Sequence, residues 1–197
     1  EKLDPVLFDV WMDILKSNPR TVLWLYASQQ VVRENLLSYA SKHGLDGGRI
    51  FFADKVPKRD HLRRLTAMDI ALDTRMYNGH TTTSDALLAG VPVITLSGNH
   101  FASRVSASLL NAQGLSECVT QSLSEYRGLI VTLAEDPMML RALRNKTMQA
   151  RSTGILFQTA RIVKEVEYRI LQMVRQCASG AAPTTLEGSF PDSIYRP

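Results

Sequence analysis

Short apolar runs alternate with longer amphipathic stretches over the first hundred residues of the chain. Four runs are rich in β-branched and aromatic residues and have the length of buried strands, at residues 21–27, 49–53, 69–74 and 91–96. Between them, apolar positions recur every three or four residues, which predicts helices at residues 4–16, 29–43, 58–66 and 82–89. Such alternation favours right-handed βαβ units. The sequence therefore predicts an α/β fold with a Rossmann-like, doubly wound parallel sheet.

After residue 100 the pattern becomes mostly helical. Helices are predicted at residues 100–112, 122–134, 137–150 and 158–176, with one small strand near residues 117–120. The end of the chain is rich in Gly, Pro, Ser and Thr, a composition that does not bury enough apolar surface to order itself. We therefore expect one domain over residues 1–176, followed by a disordered tail over residues 177–197.

Composition and charge narrow the class of protein. The 197 residues are 45% hydrophobic and 21% charged, which is typical of one globular domain. The net charge of +4 is scattered, with a short basic group at Lys55–Arg64, and this favours a local phosphate site over a nucleic-acid surface. Two cysteines are too few for a disulfide framework, and a reducing compartment is expected.

The chain shows no signal for membrane insertion or secretion. Its longest apolar runs fall short of the roughly 18 residues expected for a spanning helix, and the first ten residues do not resemble a signal peptide. Because the chain begins with Glu1 rather than Met, we expect it to be a piece of a longer polypeptide.

A phosphate site is predicted where the third strand leads into the fourth helix. In the segment from Tyr77 to Leu96, Gly79, His80 and three threonines come directly before an apolar helical pattern. Ligands bind beyond the carboxyl ends of parallel strands, and the backbone N–H groups of a helix start attract anions. Asp85 would repel a phosphate but would accept hydrogen bonds from a ribose, so a nucleotide fits better than free phosphate. The alternative is structural: a capping box of Thr82 and Asp85, with His80 a surface or capping histidine.

A second candidate cluster follows the preceding strand, in "VPKRDHLRR" from Val56 to Arg64. Lys58, His61 and Arg64 have i, i+3 spacing and share one side of the predicted helix, where they could surround a base or contact phosphates. The alternative is a solvated basic face. Both clusters are expected at the same edge of the sheet, which favours a shared function.

Several other chemistries lack a signal in the sequence. No DxD pair or spaced His and Asp cluster indicates a metal site, and "DIALD" at Asp69–Asp73 is interpreted as the beginning and end of a strand. A Ser-His-Asp triad, a Walker A motif and a GxGxxG fingerprint are also missing. Metal-dependent, hydrolase, P-loop and NAD-binding interpretations are therefore disfavoured.

The two clusters together resemble the protein O-linked N-acetylglucosamine transferases, a family with the GT-B fold. The resemblance rests on "NGHTTTSDALLAGVPVITLSGNHFASRVSASLL" with "VPKRDHLRR" and "LDT" upstream, and it runs from about Lys2 to Met173. It covers the C-terminal half of the family's catalytic region, which binds the nucleotide-sugar donor. Thr83 and Ser84 replace the Gly and Met of vertebrate members, whereas Asp85 is retained.

The resemblance implies a role for each residue that matches the family motifs. His80, Thr81 and Thr82 would contact the diphosphate of UDP, and Asp85 would hold the ribose. The residues around the uracil would be Val56, Lys58, His61 and Arg64. Lys2 would contact the diphosphate and support catalysis. No metal or other cofactor is expected, because protein cations would replace Mg²⁺.

The implied reaction is the inverting transfer of N-acetylglucosamine from UDP-GlcNAc to Ser or Thr of proteins. The family also implies an N-terminal catalytic half and tetratricopeptide repeats upstream, and a cytoplasmic or nuclear location. The general base is open: it is either a group of the N-terminal half or the donor's own phosphate. Three alternatives are also open, namely protein O-fucosylation from GDP-fucose as in plant relatives, a GT-B-like epimerase, and a noncatalytic nucleotide-binding scaffold.

Overall fold

A computed structural model describes residues 2–186 and 190–191. Five short strands alternate with helices in its first two thirds, and helices dominate the rest. The strands are β1 (Leu23–Tyr26), β2 (Ile50–Ala53), β3 (Ala71–Leu72), β4 (Val93–Leu96) and β5 (Val119–Thr120). The α-helices are α1 (Pro5–Ser17), α2 (Gln30–Lys42), α3 (Lys58–Leu65), α4 (Thr81–Leu88), α5 (Val105–Ala112), α6 (Leu123–Glu135), α7 (Pro137–Thr153) and α8 (Thr159–Ala178).

The predicted elements are present, but several boundaries differ. The strand predicted at residues 69–74 pairs as a ladder only at β3, although the N–H of Asp73 still donates to Ile94 O at 3.0 Å. The last helix extends through Ala178, two residues into the segment predicted as a disordered tail. Residues 181–186 and 190–191 form neither helix nor strand, and the rest of the predicted tail lies outside the described residues.

All strand pairing is parallel, as predicted, but the described residues form two sheets rather than one continuous sheet. One sheet pairs β1 with β2, and the other has the strand order β3-β4-β5. The structure thus has two parallel sheets where the sequence predicts one. A two-residue β3 offers few backbone groups for pairing, so side chains and helices contribute much of the connection between the two sheets.

A single apolar core joins the two sheets. Helix α1 supplies Leu7 and Met12, which are fully buried, β4 supplies Val93 and Ile94, and α6 supplies Leu133. Helix α1 begins where the sequence predicts, because the Asp4 side chain accepts a hydrogen bond from Leu7 N and Pro5 occupies the first turn. Its apolar face then packs against α6. Helix α6 in turn packs against β4.

The phenol of Tyr126 connects α1, α6 and the end of β3 inside this core. Trp11 Nε1 donates to the Tyr126 hydroxyl at 3.2 Å, and that hydroxyl donates to Asp73 O at 3.1 Å. The Tyr126 side chain is fully buried, and burial raises its pKa well above the usual range. This buried chain of hydrogen bonds ties the helices to the loop that follows β3.

We predict that Tyr126→Phe lowers the free energy of unfolding by about 1–3 kcal/mol, because it leaves the Trp11 N–H and the Asp73 carbonyl without this partner in the core. Chemical denaturation monitored by circular dichroism measures the change. The matched control is Tyr26→Phe on the exposed side of β1, where the expected change is within about 0.5 kcal/mol. Equal effects of the two substitutions would contradict the structural role of Tyr126.

Candidate functional site

The carboxylate of Asp73 organises the loop between β3 and α4. This side chain is 5% exposed, and it accepts hydrogen bonds from Gly79 N at 2.7 Å and from Thr95 Oγ1 at 2.6 Å. Burial raises the pKa of Asp73, although these donors oppose the shift by stabilising the charged form. One carboxylate therefore joins the end of β3, the middle of β4 and the glycine before the helix start. The sequence interpretation of Asp73 as a strand end missed this role.

Asn78 and Ser106 hold the same loop from the other side. The Asn78 side chain donates to Thr74 O at 2.7 Å and accepts from Ser106 N at 3.3 Å, and it is fully buried. The Ser106 hydroxyl donates to Gly79 O at 2.9 Å and lies 2.8 Å from Thr83 Oγ1. The loop is thus fixed by its own Asp73 and Asn78 side chains together with side chains from β4 and α5. A sequence signal for these residues is weak, because each partner lies far away along the chain.

Gly79 is required for close approach rather than for an unusual backbone angle. A Cβ at this position would lie 2.4 Å from Thr83 Oγ1 and 2.6 Å from Thr82 Oγ1. Only glycine lets the loop backbone come this close to the first turn of α4. The sequence prediction that Gly79 permits close approach is consistent with this packing.

The start of α4 differs from the capping-box alternative. The residue that caps the helix is His80, and no side chain caps it by a hydrogen bond. Thr81 and Thr82 are exposed in the first turn, whereas Thr83 is buried against Ser106. The capping-box interpretation of Thr82 and Asp85 is wrong, because the helix begins two residues too early and Asp85 contacts other partners. The first N–H groups of α4 have no partner within the helix, and they belong to the same turn as the two exposed threonines.

Asp85 instead pairs with the basic cluster on α3. Its carboxylate accepts a short hydrogen bond from Lys58 Nζ, and its other oxygen lies 3.7 Å from His61 Nε2. The Asp85 side chain is only 10% exposed, whereas that of Lys58 is 56% exposed. The two clusters predicted from sequence thus meet through a direct ion pair. This pair also offsets the negative charge that would otherwise repel a phosphate near α4.

The helix α3 has two different sides, so the solvated-face alternative applies to only one of them. Arg59 and Arg63 are exposed, whereas His61 and Arg64 are partly buried. Arg64 donates to Asp54 O at 2.7 Å and lies 3.2 Å from His61 Nδ1. Arg64 also lies over the Trp24 ring, 5.8 Å from its centroid. On the predicted i, i+3 side, His61 and Arg64 are therefore packed and Lys58 is exposed, and Val56 is partly buried in the loop before the helix.

His61 has an electrostatically unusual position in this cluster. Burial is the main cause that lowers its pKa below 6.5, and the nearby charges of Arg64 and Lys58 act in the same direction, while Asp85 raises it. A neutral imidazole is therefore favoured near neutral pH. A neutral ring can both donate and accept hydrogen bonds.

Lys2 reaches the loop from the segment that precedes α1. Its ammonium donates to Asn78 O at 2.9 Å and lies 4.2 Å from the centroid of the Tyr77 ring. Nearby, Arg75 forms an ion pair with Asp4 at 3.0 Å. These contacts bring the beginning of the chain to the edge where β3 ends. Lys2 therefore contacts the two residues that precede Gly79 and His80, and its contact with a diphosphate stays a prediction.

His80 lies between two aromatic rings. The Tyr77 ring stacks on it with centroids 5.1 Å apart, and Phe101 meets it edge to face at 6.0 Å. Among the described residues, its buried Nε2 atom has no hydrogen-bond partner. The sequence prediction did not include Tyr77 or Phe101, since nothing in their spacing indicates that they enclose this imidazole.

No group of three or more His, Cys, Asp or Glu side chains among the described residues is arranged to hold a metal ion. No helix in the same residues has the length and apolar composition to cross a membrane. The metal-independent mechanism stays a prediction.

A cavity of about 540 Å³ at the start of α8 is lined by Gln158–Arg161 and Lys164, and it contains none of the predicted site residues.

Residues 1–166 match the sequence pattern of Glycosyl transferase family 41. This chain belongs to that family. Among its family 41 relatives, it is 38% identical over 183 residues to a probable UDP-N-acetylglucosamine-peptide N-acetylglucosaminyltransferase, SEC, from Arabidopsis thaliana. It is 36% identical over 179 residues to a UDP-N-acetylglucosamine-peptide N-acetylglucosaminyltransferase from Caenorhabditis elegans.

The family 41 assignment agrees with the fold. The structure superposes on a mutant of the O-GlcNAc transferase from Thermobaculum terrenum with a TM-score of 0.86 and 32% sequence identity, over 92% of this chain and 35% of that one. The predicted GT-B-type α/β fold is thereby confirmed. This chain spans 19% of the Arabidopsis relative and 16% of the nematode relative, with 92% and 91% of its own length matched.

We predict that Gly79→Ala destabilises the protein by about 1–3 kcal/mol, because the added methyl overlaps the hydroxyls of Thr82 and Thr83 and pushes the loop from the helix start. Thermal denaturation measures the loss. The matched control is Gly128→Ala in the middle of α6, where a Cβ meets no atom within 4 Å. That control should gain about 0.5–1 kcal/mol from helix propensity. Stabilisation by both substitutions would rule out close packing at Gly79.

The cluster around His61 should be visible in its titration. We expect the pKa of His61 to lie below 6.5, to fall further in Asp85→Asn, and to rise in Arg64→Gln. Carbon-13 NMR of the imidazole measures each pKa. Since the folded-state pKa is depressed, the unfolded chain binds the proton first as pH falls. The stability contributed by neutral His61 is therefore complete above about pH 6.5 and is lost as pH falls through the folded pKa. A rise in Asp85→Asn would contradict the assigned geometry.

Proposed function

We propose that this chain is the donor-binding part of an enzyme that transfers N-acetylglucosamine from UDP-GlcNAc to Ser or Thr of proteins. The observation that carries the proposal is the meeting of three groups at the carboxyl ends of β2 and β3. These groups are the Lys2 ammonium, the start of α4 and the basic cluster on α3 paired with Asp85. The names of the Arabidopsis and nematode relatives, which specify a UDP-GlcNAc donor and peptide acceptors, support the choice of substrate.

The diphosphate would bind at the start of α4. Thr81 and Thr82 present exposed hydroxyls and first-turn N–H groups, and the helix dipole adds partial positive charge there. Lys2 supplies a full positive charge next to the same loop, and His80 supplies a buried nitrogen without a partner among the described residues. The buried hydrogen bonds of Asp73 hold this arrangement before any ligand arrives.

The nucleoside would bind on the α3 side of the same edge. Asp85 would accept hydrogen bonds from the ribose hydroxyls, with Lys58 balancing its charge. His61, Arg64, Lys58 and Val56 would surround the uracil. The lowered pKa of His61 supports recognition of a neutral base, because its imidazole keeps one donor and one acceptor.

The chemical demand of the reaction is to stabilise negative charge on the departing UDP. Groups that are already fixed around that charge need little reorganisation in the transition state. Lys2 and the amides and hydroxyls of α4 supply such groups, so Lys2 is the proposed catalytic residue of this chain. Protein cations in these positions would take the part of a metal ion, and inversion at the sugar carbon is proposed as in the family.

The proposal extends to the rest of the polypeptide. The acceptor site would lie in an N-terminal catalytic half, and tetratricopeptide repeats would select protein acceptors, in the cytoplasm or the nucleus. We accordingly expect the 197-residue chain to bind UDP weakly and to transfer no sugar by itself.

Calorimetric titration of the 197-residue chain tests donor recognition. We predict binding of UDP that is tighter than binding of GDP, and about 10- to 150-fold weaker UDP binding by Thr82→Val, because a hydrogen bond to a charged group contributes about 1.5–3 kcal/mol. His61→Ala should weaken UDP more than inorganic pyrophosphate. Thr82→Val should leave stability within about 0.5 kcal/mol, since its side chain is exposed.

Different outcomes distinguish the alternatives. Preference for GDP would favour a GDP-fucose donor, and equal weakening of UDP and pyrophosphate in His61→Ala would contradict recognition of the base. Unchanged UDP binding by Thr82→Val, together with a stability loss of about 1 kcal/mol, would indicate a structural cap. Absence of binding to any uridine or guanosine diphosphate by the folded chain would overturn the proposal. Sugar transfer by the isolated chain would refute the division of the active site between two halves.

A further inference from the structure

The Tyr77 ring contacts two residues of the proposed diphosphate site without belonging to either sequence cluster. Lys2 Nζ lies 4.2 Å from its centroid, and the His80 ring stacks on it with an interplanar angle of 12°. Tyr77 itself is 45% exposed, so packing of the apolar core does not explain an aromatic side chain at this position. The contacts of its ring are therefore the feature that needs a physical reason.

Lys2 needs a support because its side chain is long and flexible. A lysine ammonium sits on a four-carbon stem with many rotamers, and fixing it opposes considerable rotamer entropy. The structure gives Lys2 two attractive contacts, the Asn78 carbonyl at 2.9 Å and the face of the Tyr77 ring. The ring attracts the cation through its quadrupole and leaves the remaining N–H donors of the ammonium available to a ligand.

The Tyr77 ring is itself held in place. His80 stacks on it, and Phe101 packs edge to face against His80 at 6.0 Å. On the backbone side, Asn78 N donates to Ala102 O at 2.8 Å, which joins the Tyr77 loop to the segment that carries Phe101. The rings of Phe101, His80 and Tyr77 therefore form a continuous row that ends at the Lys2 ammonium.

We propose that Tyr77 is a positioning residue that holds the Lys2 ammonium against the loop before α4, ready for the diphosphate of the donor. The proposal rests on the proposed function for the identity of the ligand, whereas the contact with Lys2 is a property of the ligand-free chain. Lys2 and the loop are separated by 76 residues in sequence, and this ring contributes to making them one anion site. Preorganisation of this kind strengthens both ground-state and transition-state binding of negative charge.

A double-mutant cycle with Lys2 tests the proposal by calorimetry. Tyr77→Leu removes the aromatic face and is expected to weaken UDP about 3- to 10-fold, the range expected for a cation–π contact at a partly exposed site. Tyr77→Phe should retain wild-type affinity, because the ring remains. Affinity for uridine, which lacks phosphate, should stay within about twofold in both variants. Tyr77→Leu combined with Lys2→Met should bind UDP as Lys2→Met alone does, because Tyr77 acts through Lys2.

Proton NMR of the ligand-free chain provides a second measurement that does not depend on nucleotide binding. The side-chain protons of Lys2 next to the ammonium should be shifted upfield by the ring, with the shift kept in Tyr77→Phe and lost in Tyr77→Leu. The matched control for an exposed tyrosine is Tyr26→Leu on β1, which should change neither the Lys2 shift nor the UDP affinity.

Each result decides the inference separately from the proposed function. Lack of UDP binding by the wild-type chain would contradict the proposed function, and the NMR comparison would still test the contact. Normal UDP binding by Tyr77→Leu, additive effects in the double variant, or an unshifted Lys2 signal would overturn the positioning role. Equal weakening of UDP and uridine by Tyr77→Leu would show a general disturbance of the loop and would also overturn it.

Discussion

The buried carboxylate of Asp73 is the constraint on which the arrangement of the site depends. It lies where β3 ends, and it binds Gly79 N in front of α4 and the Thr95 hydroxyl on β4. A buried carboxylate is unfavourable unless donors satisfy it, so the native loop conformation and the burial of this charge require each other. Through the Tyr126 hydroxyl, which donates to the carbonyl of the same residue, this constraint extends to α1 and α6. The exposed donors of α4 are fixed because groups beneath them are buried and paired.

The ion pair between Asp85 and Lys58 also fixes the carboxyl edge of the strands. Asp85 is nearly buried and faces Lys58 and His61 on α3, so a carboxylate can lie within the proposed nucleotide site without repelling phosphates from it. The pair also joins α3 to α4. These helices follow β2 and β3, which belong to different sheets. Helix contacts and ion pairs thus connect elements that the backbone ladders leave separate. The assignment to glycosyl transferase family 41 is consistent with this division of work between a parallel-strand scaffold and side chains at its carboxyl edge.

The first residues of the chain have more influence on the site than their position suggests. Lys2 contacts the loop before α4, and Asp4 both caps α1 and pairs with Arg75 in that loop. The start of α1 and the loop before α4 are therefore fixed by the same few contacts. Because the aromatic row from Phe101 to Tyr77 ends at the Lys2 ammonium, the proposed diphosphate site combines the loop before α4, the start of that helix and a cation that contacts an aromatic ring.

The sequence by itself determined the class of fold, the order of its elements and the two clusters at the carboxyl ends of the strands. These are local properties: apolar periodicity, Gly79 before a threonine run, and i, i+3 spacing on α3 are all visible within short segments. Only the tertiary structure decided that the strands pair as two sheets and that Asp85 binds Lys58 instead of capping its helix. It also decided which residues support the site, namely Asp73, Asn78, Ser106 and Tyr77. The physical reason is that each of these features is a contact between segments distant along the chain. Such contacts are selected by the packing of the whole core, and no local pattern records which partners the fold will bring together.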